Sequence, residues 1–323
     1  MKHKKKILVL VDKKASSNNQ AVGLTNSIIK QANNKFEKKI FIINNYKFRF
    51  FPNFFLFFFL RIGLISFNFK LDFSTSLIIS CGRVCAPVSV FLKKKLKCKN
   101  IHILKPYFQE SFFDKCIIPH HDNYKVNKNI IFNRFSFINE EKKNISNEEL
   151  KIFKEMIPIL NGKKKITVLV GGNSKSSKFS LTDINKFIKN LLKIDLKRFQ
   201  LFILFSRRTS KDLKNNILRY FKDSAYIWDE NSKNPYWFLI KNSDFFIVTS
   251  DSVSMTSEAV SSKKPVFIFN VSNSKRKIEK FQNFLIKNMI TRNFDGNIFA
   301  WKYKKINESN DIARLIIKDL ELS

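Results

Sequence analysis

Short apolar runs, rich in β-branched and aromatic residues, recur along this chain and constrain its fold more than any other feature. In the first half they are Ile7–Val11, Lys39–Ile43, Leu77–Ser80, Ile101–Leu104, Cys116–Ile118 and Asn129–Phe132. In the second they are Ile166–Val170, Leu201–Phe205, Ala225–Ile227, Phe245–Val248 and Val266–Phe269. Most are continuous rather than alternating and too short for a helix, which is the pattern of strands buried on both faces. Helical stretches separate several of them, notably Asn19–Gln31 and Pro87–Lys95. Strand alternating with helix predicts open parallel sheets with helices on both faces. Between the two series a charged helix is expected from Ser146, which forms a capping box with Glu149, to a stop at Asn161-Gly162. The pattern therefore predicts an α/β chain of two Rossmann-like domains facing a cleft, residues 1–145 and 146–323. An amphipathic last helix, Asp311–Leu320 within about 307–323, is expected to cross back to the first domain. No internal repeat is evident.

The 323 residues suffice for two domains of ordinary size, and 44% hydrophobic content excludes a disordered chain. The formal charge of +34 would suit nucleic acid or an anionic membrane. However, Lys, Asn, Ile and Phe are in excess while Gly and Pro are scarce, and the first set has codons of A and T only. The charge is also spread in short clusters, at Lys4–Lys6, Lys93–Lys95 and Lys163–Lys165. It therefore reads as general composition, with attraction to anionic lipid or nucleotide substrates as the alternative, and no nucleic acid partner is expected. The four cysteines have no paired CxxC spacing and the four histidines no HExxH-like set, so neither zinc nor a disulfide framework is expected. A reducing, cytoplasmic setting fits. The run Ile7–Val11, closed by Asp12, is too short for a signal-peptide core and predicts a first strand. The Phe-rich segment Phe48–Phe69 has an uninterrupted apolar core of only Phe54–Leu60, well short of a membrane span. Two readings stand: a helix packed in the core, or an interfacial helix with phenylalanines in a bilayer and Arg49 and Arg61 at the headgroups.

Polar motifs follow the strand-like runs. Val168-Leu169-Val170 runs into Gly171-Gly172-Asn173-Ser174-Lys175, where glycine would let backbone N–H groups approach an anion and Lys175 would add a charge. The motif matches neither a Walker A loop nor GxGxxG. Ser206-Arg207-Arg208 follows the next strand, and guanidinium forks suit a diphosphate. Asn234-Pro235-Tyr236-Trp237 opens a helix. After Phe245–Val248, the turn at Asp251, Ser252 and Ser254 begins a helix over Val253–Ser261, and a helix N-terminus at a strand end suits a phosphate. Glu258 lies one turn further, where a carboxylate could hold ribose hydroxyls. In the first half Gly82-Arg83 follows a strand and forms the expected acceptor side. His120, His121 and Asp122 follow another, as candidates for acid–base work together with Asp12.

These motifs carry a resemblance. "NNQAVGL" (18–24), "CGRVCAP" (81–87), "IIPHHD" (117–122), "VGGNSKSSKF" (170–179), "SRRT" (206–209), "NPYWFL" (234–239), "TSDSVSMTSEA" (249–259) and "KIEKFQNFL" (277–285) occur in order over nearly the whole chain. Together they resemble the mitochondrial fission ELM-type proteins of plants and their alphaproteobacterial relatives. The resemblance implies a GT-B fold; the bacterial members are often labelled nucleoside-diphosphate-sugar epimerases. The stretch from Ser250 is also similar to the donor-binding segment of the N-acetylglucosaminyltransferase that makes lipid II. That likeness implies a diphosphate at Ser252 and Ser254 and a ribose at Glu258. Where family members carry Gly-His after the first strand's aspartate, this chain has Ser16 and Ser17. The function so implied is a glycosyltransferase using a nucleoside-diphosphate sugar as substrate, with no cofactor or metal. Its acceptor would be lipid-linked, met at the anionic inner membrane face. The alternatives are a non-catalytic membrane-associated adaptor, as the plant relatives are implicated in recruiting division machinery, and an epimerase, which needs an acid–base pair.

Overall fold

The apolar runs form the centres of two parallel sheets in a computed structural model that describes residues 4–43, 51–66, 71–304, 306 and 308–322. The chain divides into two units, Met1–Glu140 with Asn307–Ser323, and Glu141–Ile306. In the first, β1 (Lys5–Val11), β2 (Phe36–Ile42), β3 (Thr75–Cys81), β4 (Lys99–Ile103), β5 (Lys115–Pro119) and β6 (Ile130–Asn133) lie in the order β2-β1-β3-β4-β5-β6. Every pairing is parallel. The order reverses between β1 and β3, the place where open α/β sheets gather ligands. Helices α1 (Ala15–Gln31), α2 (Asn53–Arg61) and α3 (Cys85–Leu96) connect the strands.

Strand periodicity explains the two layers of this core. Ile7, Val9 and Val11 point to one face and meet Ala21, Leu24 and Ile28 of α1. Leu8 and Leu10 point to the other and meet Leu56 and Leu60 of α2 with Val88 and Leu92 of α3. Helix α1 starts four residues before the expected Asn19, because its first turn is polar and apolar periodicity begins only at Ala21. Of the Phe-rich segment, Phe48–Phe50 and Phe67–Phe69 lie outside the described residues. The helix at its centre has a buried side at Leu56 and Leu60 and an exposed side at Phe54, Phe55 and Phe58. Among the described residues no helix is long and apolar enough to cross a membrane.

The second unit opens with α4 (Asn147–Met156), whose Ser146–Glu149 capping box forms as expected. The helix stops at Met156 rather than near Asn161, since Ile157 precedes Pro158 and is pushed into extended backbone. Then come β7 (Lys164–Val170), β8 (Ser177–Lys178), α5 (Leu181–Leu191), β9 (Phe199–Phe205), α6 (Lys211–Phe221) and β10 (Ala225–Ile227). Next are α7 (Tyr236–Asn242), β11 (Phe245–Thr249), α8 (Val253–Val260), β12 (Val266–Phe269), β13 (Asn273–Ser274), α9 (Arg276–Lys287) and β14 (Arg292–Asn293). The sheet order is β10-β9-β7-β11-β12-β14, reversing between β7 and β11, while β8 and β13 pair apart from it. Phenylalanines fill this core edge-on, as in Phe199 against Phe245 and Phe187 against Phe294.

The last helix, α10 (Glu308–Asp319), belongs to the first unit. Its Ile312, Ala313 and Ile316 enter the α1 side of that core. Glu308 accepts the backbone N–H groups of Arg134 and Phe135, both at 2.8 Å, and Asp319 meets Lys115 at 2.7 Å. The helix is thus fixed at both ends as well as along its apolar side. Ile316→Ala, at a position with no exposure, is expected to cost about 3 kcal/mol through lost transfer and a residual cavity. Urea unfolding monitored on the first unit's transition would show it as a lower midpoint; an unchanged midpoint would contradict this packing.

Candidate functional site

At the β7–β11 reversal three segments converge on one carboxylate. Thr249 ends β11, and its hydroxyl donates to Asp251 Oδ1 at 2.7 Å while accepting from the Gly171 N–H at 2.8 Å. Gly172 N–H donates to Asp251 Oδ2 at 3.0 Å, and Arg208 Nη2 reaches the same oxygen at 3.4 Å. The Asp251 side chain is fully buried. Burial raises its carboxyl above the ordinary range, opposed by the Thr249 hydroxyl, the Gly172 N–H and the Arg208 charge.

The glycines are required by close approach, but not by an anion. A Cβ on Gly171 would stand 2.0 Å from Asp251 Oδ1, and one on Gly172 would stand 2.0 Å from the Arg208 carbonyl oxygen. The N–H groups expected to face a ligand are instead bonded to Thr249 and Asp251, and that of Asn173 to Arg208 O at 3.1 Å. This corrects the anion-cradle reading of Gly171 and Gly172, and it makes Asp251 a buried strut rather than a ligand-facing group. Ser174 is a turn former, accepting from the N–H groups of Ser176 and Ser177 at 3.0 and 3.1 Å, with Lys175 exposed beside it.

After β9, Ser206 N–H donates to Val170 O at 2.9 Å, and the Ser206 hydroxyl accepts from Arg208 N–H at 3.2 Å. Thr209, which sequence reasoning passed over, ties this turn to β7 by donating to Gly171 O at 2.6 Å. Arg207 is left exposed, with no hydrogen-bond or ion-pair partner among the described residues. Arg208 keeps 46% of its side chain exposed despite its contact with Asp251.

Ser252 is the N-cap of α8, accepting from Met255 N–H at 3.3 Å, and Ser254 lies half-buried in the first turn. The N-terminal end of α8, with its positive partial charge, therefore stands at the carboxyl end of β11. Glu258 is buried and accepts the Tyr236 hydroxyl at 2.5 Å. Burial and then the Glu258 charge raise the Tyr236 phenol well above its usual range, so it remains a donor. That pairing was hidden in a motif read only as a helix start. Gln282 of α9 was also missed; its amide donates to Ser250 O at 3.0 Å and to Thr256 Oγ1 at 3.3 Å.

The β7–α5 loop is held to the segment after β12. Ser177 and Ser274 hydroxyls lie 2.9 Å apart across β8–β13, and Lys275 N–H donates to Ser176 O at 2.8 Å. Asp183 caps α5 through Ser180 and also accepts the Ser272 N–H and hydroxyl at 3.1 and 2.9 Å. Burial works against its ionised form, but the donors from Ser180 and Ser272 outweigh it and lower the carboxyl. The sign follows: a depressed folded-state pKa stabilises above the unfolded value near 3.9, and that contribution is lost as pH falls through the folded value. Asp183→Ala is expected to cost about 1–2 kcal/mol at neutral pH. Denaturant titrations of both proteins should converge as pH falls below the carboxylate range; a difference that persists there would contradict the assignment.

In the first unit, Asp12 directly follows β1 and Gly82 directly follows β3, its neighbour in the sheet. Gly82 has φ +99°, and a Cβ there would lie 3.0 Å from Asp12 Oδ2 and 3.5 Å from Ser17 Oγ. Asp12 Oδ1 accepts Lys14 N–H at 3.0 Å. The neighbouring Cys81 thiol is pushed up to about 12, by burial and then by the Asp12 charge. Arg83 donates to Phe51 O at 3.0 Å. His120, His121 and Asp122 form a short turn after β5, three strand spacings or roughly 14 Å from β1. The fold therefore does not gather Asp12 and this trio into one constellation. Among the described residues no group of three or more His, Cys, Asp and Glu could hold a metal ion.

The family model described as mitochondrial fission ELM1 matches residues 15–320. The uncharacterized protein RP120 of Rickettsia prowazekii (strain Madrid E) is 30% identical over 283 residues, which are 74% of this chain and 78% of that protein. The mitochondrial fission protein ELM1 of Arabidopsis thaliana is 33% identical over 123 residues, 36% of this chain and 29% of that protein. Among solved structures, the UDP-GlcNAc 2-epimerase of Neisseria meningitidis bound to UDP-GlcNAc aligns with a TM-score of 0.54 at 13% identity, over 98% of this chain and 100% of that one. The S. aureus MnaA–UDP structure gives 0.52 at 12% identity over 99% and 98%, and a glycotransferase of kitacinnamycin 0.52 at 10% over 99% and 91%. At these identities the likeness is one of fold, and the fold is GT-B-like.

Proposed function

The chain belongs to the mitochondrial fission ELM1 family, and from that premise we propose that its second unit binds a nucleoside-diphosphate sugar and transfers the sugar to an acceptor. One observation carries this reading: Arg207 is exposed and, among the described residues, without a hydrogen-bond or ion-pair partner beside the carboxyl end of β9, next to the β7–β11 reversal. Such reversals are where ligands of parallel sheets bind. Arg207 and the N-terminal turn of α8, with Ser252 and Ser254, hold the diphosphate, and Lys175 and Arg208 add positive charge. Glu258, oriented by Tyr236, takes the ribose hydroxyls. UDP is the nucleotide of first choice, because two fold neighbours were solved with UDP or UDP-GlcNAc bound.

In the transfer, the bond from the sugar's anomeric carbon to the diphosphate breaks with its electron pair leaving on phosphate. A bond to the acceptor oxygen forms, and the acceptor's proton passes to a base. Arg207 and the α8 N-terminus stabilise the charge that develops on the diphosphate. Within the first unit, Asp12 is the candidate base we assign, beside Gly82 at the end of β3, with Arg83 on the acceptor side. The acceptor is lipid-borne, and the protein works peripherally at a membrane surface. A non-catalytic adaptor is the second reading. It is favoured by Ser17, 4% exposed and carrying no acid–base group where the family resemblance has histidine.

Charged hydrogen bonds to phosphate contribute about 1.5–3 kcal/mol each, so Arg207→Ala is expected to weaken UDP roughly tenfold to a hundredfold. Glu258→Gln should be milder and vanish against a nucleotide lacking ribose hydroxyls. Calorimetric titration reads both; if no nucleoside diphosphate binds tighter than millimolar, the adaptor stands instead.

A further inference from the structure

We propose that the outer face of α2 is a docking surface for an anionic lipid bilayer. Phe54, Phe55, Phe58 and Ile62 recur at helical spacing on one side of α2, and Leu64 continues the patch beyond its end. Their exposures run from 47% at Phe58 to 71% at Leu64. The opposite side holds Leu56 and Leu60, 0% and 3% exposed, inside the core of the first unit. The helix thus has two apolar sides, of which the fold buries one. A contiguous patch of large apolar side chains on a surface marks a place of interaction.

Charge identifies what covers it. No acidic residue occurs from Phe51 to Ser66, while Arg61, Lys94 and Lys95 are exposed along α2 and the neighbouring α3. Lys94 Nζ stands 5.4 Å from the Phe57 ring, so its ammonium lies beside the aromatic helix. Exposed apolar side chains beside these cations match an apolar interior under anionic headgroups. A cavity of about 330 Å³ lies alongside, lined by Phe41, Leu60, Ile65 and Phe91 together with Arg61 and Lys95. That combination suits a phospholipid whose acyl chain enters the cavity while its headgroup phosphate rests on the two cations.

The face is also coupled to the acceptor side. Asn53, 3% exposed at the start of α2, donates to Arg83 O at 3.0 Å and to Pro106 O at 2.7 Å. Seating α2 on a bilayer therefore brings the Gly82–Arg83 turn toward the lipid surface. This rests on the lipid-borne acceptor assigned above, but vesicle binding and nucleotide binding are measured separately and either can fail alone.

The test is sedimentation of the full chain with vesicles of phosphatidylcholine, alone or with one-third phosphatidylglycerol. Binding to the anionic vesicles is expected, surviving in part when salt screens surface charge. It should fall roughly a hundredfold in the triple variant Phe54→Ser, Phe55→Ser, Phe58→Ser, whose exposed positions leave the core intact. Phe55→Trp keeps the face apolar and should gain fluorescence quenching by brominated lipid over the native chain. Undiminished binding by the triple variant would mean adsorption by charge alone and overturn the proposal, as would an unquenched Phe55→Trp. A native dimer that the triple variant makes monomeric, with no vesicle binding, would make the face a contact between copies and overturn it equally.

Discussion

Gly172→Ala is expected to destabilise the second unit by about 4 kcal/mol or more and to abolish nucleotide binding with it. The added methyl would sit 2.0 Å from the Arg208 carbonyl oxygen, 2.1 Å from its carbon and 2.4 Å from the Thr209 nitrogen. All three atoms are backbone, so no rotamer change makes room. That backbone is further held by Thr209, whose hydroxyl donates to Val170 O and Gly171 O. The turn carrying Arg207 would have to leave the end of β7. Thermal unfolding reads the loss directly; a variant with the native midpoint would mean that these two turns do not pack as described.

Asp251→Ala should cost about 2–5 kcal/mol, since buried donors left without an acceptor cost about 1–3 kcal/mol each. The donors are the Gly172 N–H and the Thr249 hydroxyl, and Arg208 loses its partner besides. Asp251→Asn keeps one acceptor oxygen and should fall between the two. The comparison separates a strut from a ligand-binding acid. If Asp251→Ala left stability unchanged and removed only nucleotide affinity, the carboxylate would belong to the ligand site.

Much of the fold was legible because parallel strands buried on both faces are written as unbroken apolar runs. Lys164–Val170, which contains the run Ile166–Val170, and Phe199–Phe205 pair along seven positions as members of one sheet. The paired strands β8 and β13, and the edge strand β14, span two residues each and are largely polar, so no periodic window could contain them. Around the site, sequence reasoning marked Arg207 and Ser252 because each follows a strand, and Glu258 because it lies one turn into the helix that Ser252 begins. It could not tell that the Gly171 and Gly172 N–H groups find partners in Thr249 and Asp251, nor that Tyr236 reaches Glu258, since both depend on segments far apart in the chain. Asp12 and His120 looked like partners for the same reason: only strand order shows that β3 and β4 stand between them.

The central claim is that a nucleoside diphosphate sits at the β7–β11 reversal of the second unit. Backbone hydrogen exchange with and without saturating UDP tests it most directly, because it reports where the ligand lies as well as whether it binds. Slowed exchange is predicted for the 206–209 turn and for 252–255 at the start of α8, with the strands beneath unchanged. Slowing confined to other segments, or none at any UDP concentration up to millimolar, would contradict the claim.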